Sequence, residues 1–461
     1  LHSTPTTPTQ PTPTQPNPTT ADPCAAHRCH DGTGPCGSVE TVNHEYRTFQ
    51  VTSPDPADNP WYPAWLTAVQ QGFHDPHPTD RFLRHQLAIE AAHGSVARGV
   101  WSTDSPEYAL GADIPVATFM EWRGSLNVGG SLIDCHQISD VTVRASHRRQ
   151  GIARNLMTAS LTQAKESGLA VAALTATEAT IYGRFGFGAA IFKDQIELRV
   201  GSGFDLQVPV TGTCEYLSTD RLAEAATEVF RTFHATQTGS IDRNPPQMEL
   251  RTGLIVKSSR EANTKIRAIG HWDDDGTLDG YATWTSSDRE DMIRVIDFVP
   301  TNQRASTAMW SFLASLDLVR RVRFNLARND EHLPWAITDR RRYIVREHDD
   351  LLWLRPLDPA RLLTARNYYA DGDVRLRVVD KLGIAEGTWD LHVRDGHATC
   401  EPTDAEPQVE IGVAALGSTV LGGVNIHAMS TVGNVTGEQP AIDELGILLR
   451  RRREPWCITP F

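Results

Sequence analysis

Between residues 137 and 188 the spacing of apolar residues changes period twice. Ile138, Val141 and Val143 recur among polar neighbours over 137–143, which predicts a half-buried strand. After the turn Arg148-Arg149-Gln150-Gly151-Ile152-Ala153, Leu156, Leu161 and Ala164 fall at helical spacing, and Gly168 is placed to end that helix. A continuous apolar run over 170–174 predicts a buried strand, and 178–184 a short helix ending in Phe185-Gly186-Phe187-Gly188.

Upstream, the pattern predicts strands over 48–51, 97–101, 116–122 and 131–143. Helices are expected over 61–71, from Trp61, Trp65 and Val69, and over 80–91, from Phe82, Leu83, Leu87 and Ile89, with a loop Phe73-His74-Asp75-Pro76-His77-Pro78 between them. From about 208 the pattern restarts, with strands at 214–217, 253–258, 266–272, 279–286 and 291–298 and helices at 220–232 and 305–317. The apolar 351–354 is expected to return to the first sheet. After a helix at 359–366 come strands at 374–379, 387–393 and 397–402 and helices at 409–416 and 442–449. Four consecutive arginines, Arg450 to Arg453, read as a solvated helix end or a subunit contact.

Length admits two to four domains. Residues 1–44 are largely Thr/Pro repeats, too poor in apolar surface to fold, and form an expected disordered tail. Cys24, Cys29 and Cys36 lie near His27 and His30, but at no spacing that a zinc site uses, so no metal is expected. The net charge of −13 argues against general nucleic-acid binding and is compatible with a cationic substrate. No run of 18 apolar residues occurs, so no membrane span is expected. No basic segment followed by an apolar one opens the sequence, and the seven cysteines do not make a disulfide scaffold, so a cytoplasmic location is expected.

The central stretch carries definable chemistry. A helix N-terminus offers unpaired N–H groups and a positive dipole end to a phosphate. Gly151 allows close backbone approach, and Arg148 and Arg149 add positive charge. Tyr182, after the second strand, can give a proton to a leaving group.

Arg148-x-x-Gly151-x-Ala153 after a strand resembles the acetyl-coenzyme A loop of GNAT N-acetyltransferases. The continuation Thr177-Glu178-Ala179-Thr180-Ile181-Tyr182-Gly183-Arg184-Phe185-Gly186-Phe187-Gly188 and the ending Pro455-Trp456-Cys457-Ile458-Thr459-Pro460-Phe461 are similar to the Eis (enhanced intracellular survival) family. The resemblance implies an α/β and α+β architecture: a catalytic GNAT domain over 45–207, a second GNAT-like domain over 208–350 and a sterol-carrier-protein-like α+β domain over 351–461 ending in the active site. The second copy has Val299-Pro300-Thr301-Asn302-Gln303-Arg304 where the cofactor loop would fall, so no coenzyme A is expected there.

By the same resemblance, Val141, Thr142 and Val143 face the thioester and pantetheine arm, Arg148, Arg149, Gln150, Gly151, Ile152, Ala153 and Arg154 surround the pyrophosphate, and Thr177 and Glu178 add contacts. Tyr182 is the implied general acid and the α-carboxylate of Phe461 the implied base. Phe73, Asp75 and Phe82 are the implied acceptor-pocket residues, with Asp75 holding an ammonium. Acetyl-CoA is the implied co-substrate, without metal. The implied acceptor is a cationic amine (aminoglycoside, polyamine or lysine), and the implied assembly a homohexamer built as a trimer of dimers. Phe185 and Phe187 read as packing residues, and Cys457 has no His/Asn pattern that would make it a nucleophile. Two other classes fit parts of the chain: a non-catalytic acetyl-CoA-binding GNAT-fold protein, and a lipid carrier acting through the C-terminal module.

Overall fold

A computed structural model describes residues 44–103, 106–287 and 291–461. The expected tail before His44, with Cys24, His27, Cys29, His30 and Cys36, lies outside the described residues.

The first region contributes β1 (His44–Gln50), α1 (Tyr62–Gly72), α2 (Asp80–His93), β2 (Val96–Ser102), β3 (Ala117–Asn127), β4 (Leu132–Val143), α3 (Ile152–Glu166), β5 (Val171–Thr175), α4 (Ala179–Tyr182) and β6 (Gly188–Arg199). The second adds β7 (Thr213–Tyr216), α5 (Leu222–Thr236), α6 (Pro245–Arg251), β8 (Arg267–Trp272), β9 (Leu278–Ser287), β10 (Met292–Pro300), α7 (Gln303–Ser315), β11 (Arg321–Ala327), α8 (Leu333–Ala336) and β12 (Tyr343–Pro356). The third holds α9 (Pro359–Thr364), β13 (Gly372–Val379), β14 (Gly387–Arg394), β15 (His397–Pro402), β16 (Val409–Gly412), α10 (Val413–Thr419), α11 (Ile426–Thr431), β17 (Val435–Gly437) and α12 (Gln439–Leu449).

The first two regions share one sheet, in the order β1-β2-β3-β4-β5-β12-β6-β11-β10-β9-β8-β7. The apolar end of β12 does return to the first region, with Leu352 opposite Thr175 and Pro356 opposite Val171. The third region has its own sheet, β15-β14-β13-β16-β17.

The amphipathic patterns explain the layers. On one face of the first half-sheet, α3 lays Leu156, Met157, Leu161 and Ala164 against Ile138, Ala172 and Leu174. On the other, α1 and α2 bury Tyr62, Trp65, Leu66, Val69 and Leu87 against Met120 and Trp122. Each such side chain contributes about 1.5–3 kcal/mol on burial, and Trp65→Ala would cost about 3–5 kcal/mol.

Two expected elements are corrected. The expected strand at 253–258 is a chain of turns: Gly253 has φ +76° and Arg260 φ +59°. Its backbone groups bond locally, Val256 N–H to Glu261 C=O and Asn263 N–H to Leu254 C=O, and only Ile255 forms an isolated bridge, to Ala262. The expected helix at 409–416 is β16 followed by α10. Val409, Ile411 and Val413 suit period two as well as a helix, and a parallel partner, β13, decides for the strand up to Gly412. Neither α6, with its Asn244–Gln247 capping box, nor β11 was expected from the pattern.

Candidate active site

Strands β4 and β5 run parallel only from Cys135 opposite Val171 to Ile138 opposite Leu174. Beyond that point β4 bulges, with Asp140 at φ +50° and the register against β3 shifted between Thr118 and Met120. Thr142 and Val143 still pair with β3. Val141, Thr142 and Val143 thus leave the β5 side of their strand without a partner among the described residues, an edge open to another amide-bearing chain. The buried Thr142 side chain points to the α1 side and shares a 2.6 Å hydroxyl hydrogen bond with Thr118.

That open edge leads to the N-terminus of α3. Arg149 (φ +66°) and Gly151 (φ +79°) both adopt left-handed backbone, which turns successive N–H groups toward one side. Gly151 caps the helix without any side chain, and a Cβ built on it would meet nothing within 4 Å. Arg148, Arg149, Gln150 and Arg154 are exposed, and among the described residues none of the three arginines has a carboxylate partner. Ile152 is buried under the helix and Ala153 half-buried, so these two set the helix rather than face outward. An uncapped helix start, open space and unpaired guanidinium groups suit a diphosphate.

Tyr182 lies where α4 passes into a 3-10 turn and is 7% exposed. Its ring meets Phe187 edge-on at 6.2 Å. Burial, with the Glu178 carboxylate adding to it, pushes the phenol above its usual range. No hydrogen bond of its hydroxyl is found among the described residues. Thr177 and Glu178 are exposed at the start of α4, on the way out of β5. Phe185 and Phe187 are buried in the α3-side core.

The chain end is the part of the site that no local pattern forms. Trp456, Cys457, Ile458 and Thr459 are buried. Trp456 donates its backbone N–H to Thr238 C=O (2.9 Å) and its indole N–H to Leu326 C=O (2.7 Å). Arg243, ion-paired to Asp297 at 2.6 Å, donates to Ile458 C=O (2.7 Å) and Thr459 Oγ1 (3.0 Å). Arg251 donates to Pro460 C=O. Phe461 then bonds Thr175, the last residue of β5: its N–H donates to Oγ1 at 2.9 Å, and Oγ1 donates to the Phe461 terminal oxygen at 2.6 Å. The Phe461 ring meets Trp122 edge-on at 5.4 Å, and His93 stacks on the same indole at 4.6 Å. Cys457 is inert here: burial pushes its thiol up and its S–H points at Thr459 C=O.

With this geometry in hand, the comparisons with known proteins are direct. Residues 62–190 and 239–362 each match an acetyltransferase (GNAT) domain family, and 359–458 match a sterol carrier protein domain family. An uncharacterized N-acetyltransferase of Streptomyces griseus is 32% identical over 412 residues, 86% of this chain and 96% of that relative. N-acetyltransferase Eis of Mycobacterium tuberculosis is 29% identical over 333 residues, 69% of this chain and 77% of that protein. The crystal structure of Eis1 from Mycobacterium abscessus superposes with a TM-score of 0.73 at 24% identity, over 91% of this chain and all of that one. The chain belongs to the Eis family of GNAT N-acetyltransferases. It is an acyltransferase with tandem GNAT domains and a sterol-carrier-protein-like domain.

The α1/α2 face of this Eis-family sheet carries further titratable groups. Glu90 of α2 is buried and accepts from Gln86 Nε2 (2.7 Å) and Ser95 Oγ (2.7 Å). Burial, and then the charge of Asp140, raise it to about 7. Burial raises Asp140 itself to about 6. The Tyr62 hydroxyl, buried without a partner, feels both carboxylates. Of the expected acceptor residues, Phe73 is exposed at the end of α1, Asp75 is exposed in the following loop, and Phe82 of α2 is half-buried beneath the Arg260 guanidinium at 4.4 Å. Asp75 sits within electrostatic reach of Lys257. Sequence reasoning did not find Thr175, Trp122, Arg243, Arg251 or Arg260. Of these only Thr175 lies beside the motif stretch that was singled out, and its partner is 286 residues away.

Of the four arginines, Arg450 is the exposed end of α12, as one of the two readings had it, and the other three have partners within the chain. Arg451 donates to Val128 and Gly129 C=O, Arg453 pairs with Asp330, and Arg452 lies over the Tyr369 ring. Arg451 and Arg453 thus tie the segment before the chain end to the first and second regions.

Proposed function

We propose that the protein moves the acetyl group of acetyl-CoA directly to a primary amine, with Tyr182 as general acid and the terminal carboxylate of Phe461 as general base. The observation that carries this reading is the paired hydrogen bonding of Phe461 and Thr175 at the mouth of the β4/β5 gap.

Arg148, Arg149, Arg154 and the N–H groups from Gly151 onward would hold the diphosphate, and the unpaired edge at Val141, Thr142 and Val143 would hold the pantetheine amides and polarise the carbonyl. Gln150, Thr177 and Glu178 complete that surface, and Ile152 and Ala153 contribute through their backbone N–H groups at the helix start. Acetyl-CoA supplies an activated acyl carbon and a thiolate leaving group.

An amine of reference pKa about 10.4 must lose a proton to attack. The nearby Arg251 charge favours the neutral amine, and the Phe461 carboxylate takes the proton and passes it to water. A C–N bond forms as the C–S bond breaks. The departing sulfur takes a proton from Tyr182, which solvent restores. A tyrosine held above its usual pKa stays protonated throughout neutral pH, as an acid must.

The acceptors implied by the family are an aminoglycoside, a polyamine or a lysine, and the implied assembly is a homohexamer. Thiol release from acetyl-CoA with such a panel, and mass spectrometry of the acceptor, tests the reading. Acetylated amine supports it. Tight coenzyme binding without thiol release from any amine contradicts it and points to a non-catalytic binding protein.

A further inference from the structure

Two aspartates stand at matching places in the two GNAT regions. In the first, the parallel pairing of β4 with β5 ends at Ile138 opposite Leu174, and Asp140 lies two residues on. In the second, the parallel pairing of β10 with β11 ends at Val295 opposite Phe324, and Asp297 lies two residues on. Each strand also slips register against its antiparallel neighbour near this point. The surroundings of the two carboxylates differ. Among the described residues, that of Asp140 has no hydrogen-bond or ion-pair partner. That of Asp297 is buried, and it accepts from Arg243 at 2.6 Å and 3.2 Å and from the Tyr281 hydroxyl at 2.6 Å.

Arg243 carries that anchorage to the chain end. Its side chain is wholly buried, with the guanidinium 4.4 Å from the centre of the Phe230 ring. Nη2 donates to Ile458 C=O at 2.7 Å and Nε to Thr459 Oγ1 at 3.0 Å. The backbone on either side is fixed as well. Ile241 bridges to Leu126 of β3, and Asn244 caps α6 and donates to Ile89 C=O of α2. One planar group thus spans β10 of the second region and residues 458 and 459, while Thr175 of the first region holds Phe461 itself. A buried ion pair adds little net stability, whereas a bidentate guanidinium fixes geometry. Misplacing a reacting group by about 1 Å costs on the order of a hundredfold in rate.

Resting on the acetyl-transfer reading above, we infer that Arg243, held by Asp297 and Tyr281, is a positioning residue for that reaction: through it the second GNAT region sets where the Phe461 carboxylate stands against the acceptor nitrogen. The aspartate of the second region anchors the base through a guanidinium. That region then acts on catalysis through the chain end, without any contact of Arg243 to acetyl-CoA or the amine.

The test measures thiol release from acetyl-CoA in variants of the full chain. Arg243→Lys keeps a charge beside Asp297 but lacks the planar fork that reaches Asp297, Ile458 and Thr459 together. It should lower kcat about tenfold with KM for acetyl-CoA unchanged. Thr459→Val removes only the Nε contact and keeps the shape of the buried side chain, so it tests the same link even where Arg243→Lys fails to fold. It should lower kcat about threefold to tenfold, and Thr459→Ser should restore the rate. Thermal unfolding of each variant reports its structural cost separately. The deciding comparison appends one glycine after Phe461, alone and together with Arg243→Lys or Thr459→Val. Because these changes act through the same carboxylate, the combined loss should be little more than that of the extension alone. Losses that simply multiply, or a native kcat in both Arg243→Lys and Thr459→Val, overturn this inference alone. An extension without effect on kcat, or no thiol release from any amine, overturns it together with the reading on which it rests.

Discussion

Thr175 and Phe461 hold each other by two hydrogen bonds, 2.9 Å from the Phe461 N–H to Oγ1 and 2.6 Å from Oγ1 to the terminal oxygen. One hydroxyl thus fixes both the last peptide and the terminal carboxylate at the end of β5. Chain ends ordinarily fray. Here three buried apolar residues, each contributing about 1.5–3 kcal/mol, and the Arg243–Asp297 pair oppose fraying.

Thr175→Val removes both bonds and keeps the shape. It should lower kcat about tenfold to hundredfold with little change in KM for acetyl-CoA, and Thr175→Ser should restore most of the rate. Steady-state kinetics checks this. A rise in acetyl-CoA KM at constant kcat would assign Thr175 to cofactor binding instead.

Arg148→Gln with Arg149→Gln should raise KM for acetyl-CoA about tenfold or more, since each charge-assisted contact is worth about 1.5–3 kcal/mol. The wild-type KM should rise with salt and the variant's much less. Titration with coenzyme A by calorimetry gives an independent readout. Unchanged affinity would place the diphosphate elsewhere.

Tyr182→Phe should lower kcat about hundredfold and leave acetyl-CoA binding intact. Because the phenol is held above its usual range, the wild-type rate should not fall between pH 7 and 9 from Tyr182 ionisation. An alkaline fall in that window that vanishes in Tyr182→Phe would contradict the assignment of the raised pKa.

Glu90 is raised to about 7 and Asp140 to about 6. Raised carboxyl pKa values mean that the folded state binds these protons more tightly than the unfolded chain. Their stabilisation is complete below the ordinary carboxyl range and is lost as pH rises through 6 to 7. Thermal unfolding should therefore show stability falling from about pH 4 to about pH 7, by on the order of 5 kcal/mol in all, and Glu90→Gln should reduce the fall. An equal fall in both proteins would remove Glu90 as its cause.

Much of the core of the site was legible because it is local. The strand-turn-helix from Ile138 to Ala164 combines a period-two segment, a glycine and a helical stripe, and α3 begins at Ile152, just after the expected turn glycine. The second region was legible in outline, except where a partner or a turn overrode the pattern. Leu254, Ile255 and Val256 look like a strand, yet Gly253 and Arg260 in left-handed conformation fold them into turns. Val409 to Val413 looks like a helix start until β13 pairs with it. The surroundings of the chain end were not legible, because Arg260 meets Phe82 and Arg251 meets Pro460 only through the tertiary fold.

The central claim is that the terminal carboxylate of Phe461 is the base, and appending one glycine after Phe461 tests it most directly. The added residue turns that carboxylate into a neutral amide and moves the new one about 3.6 Å along the chain. The account predicts a fall in kcat of about hundredfold or more, with acetyl-CoA KM, thermal stability and oligomeric size unchanged. Activity within about twofold of the native-ended protein would contradict the account and require another base.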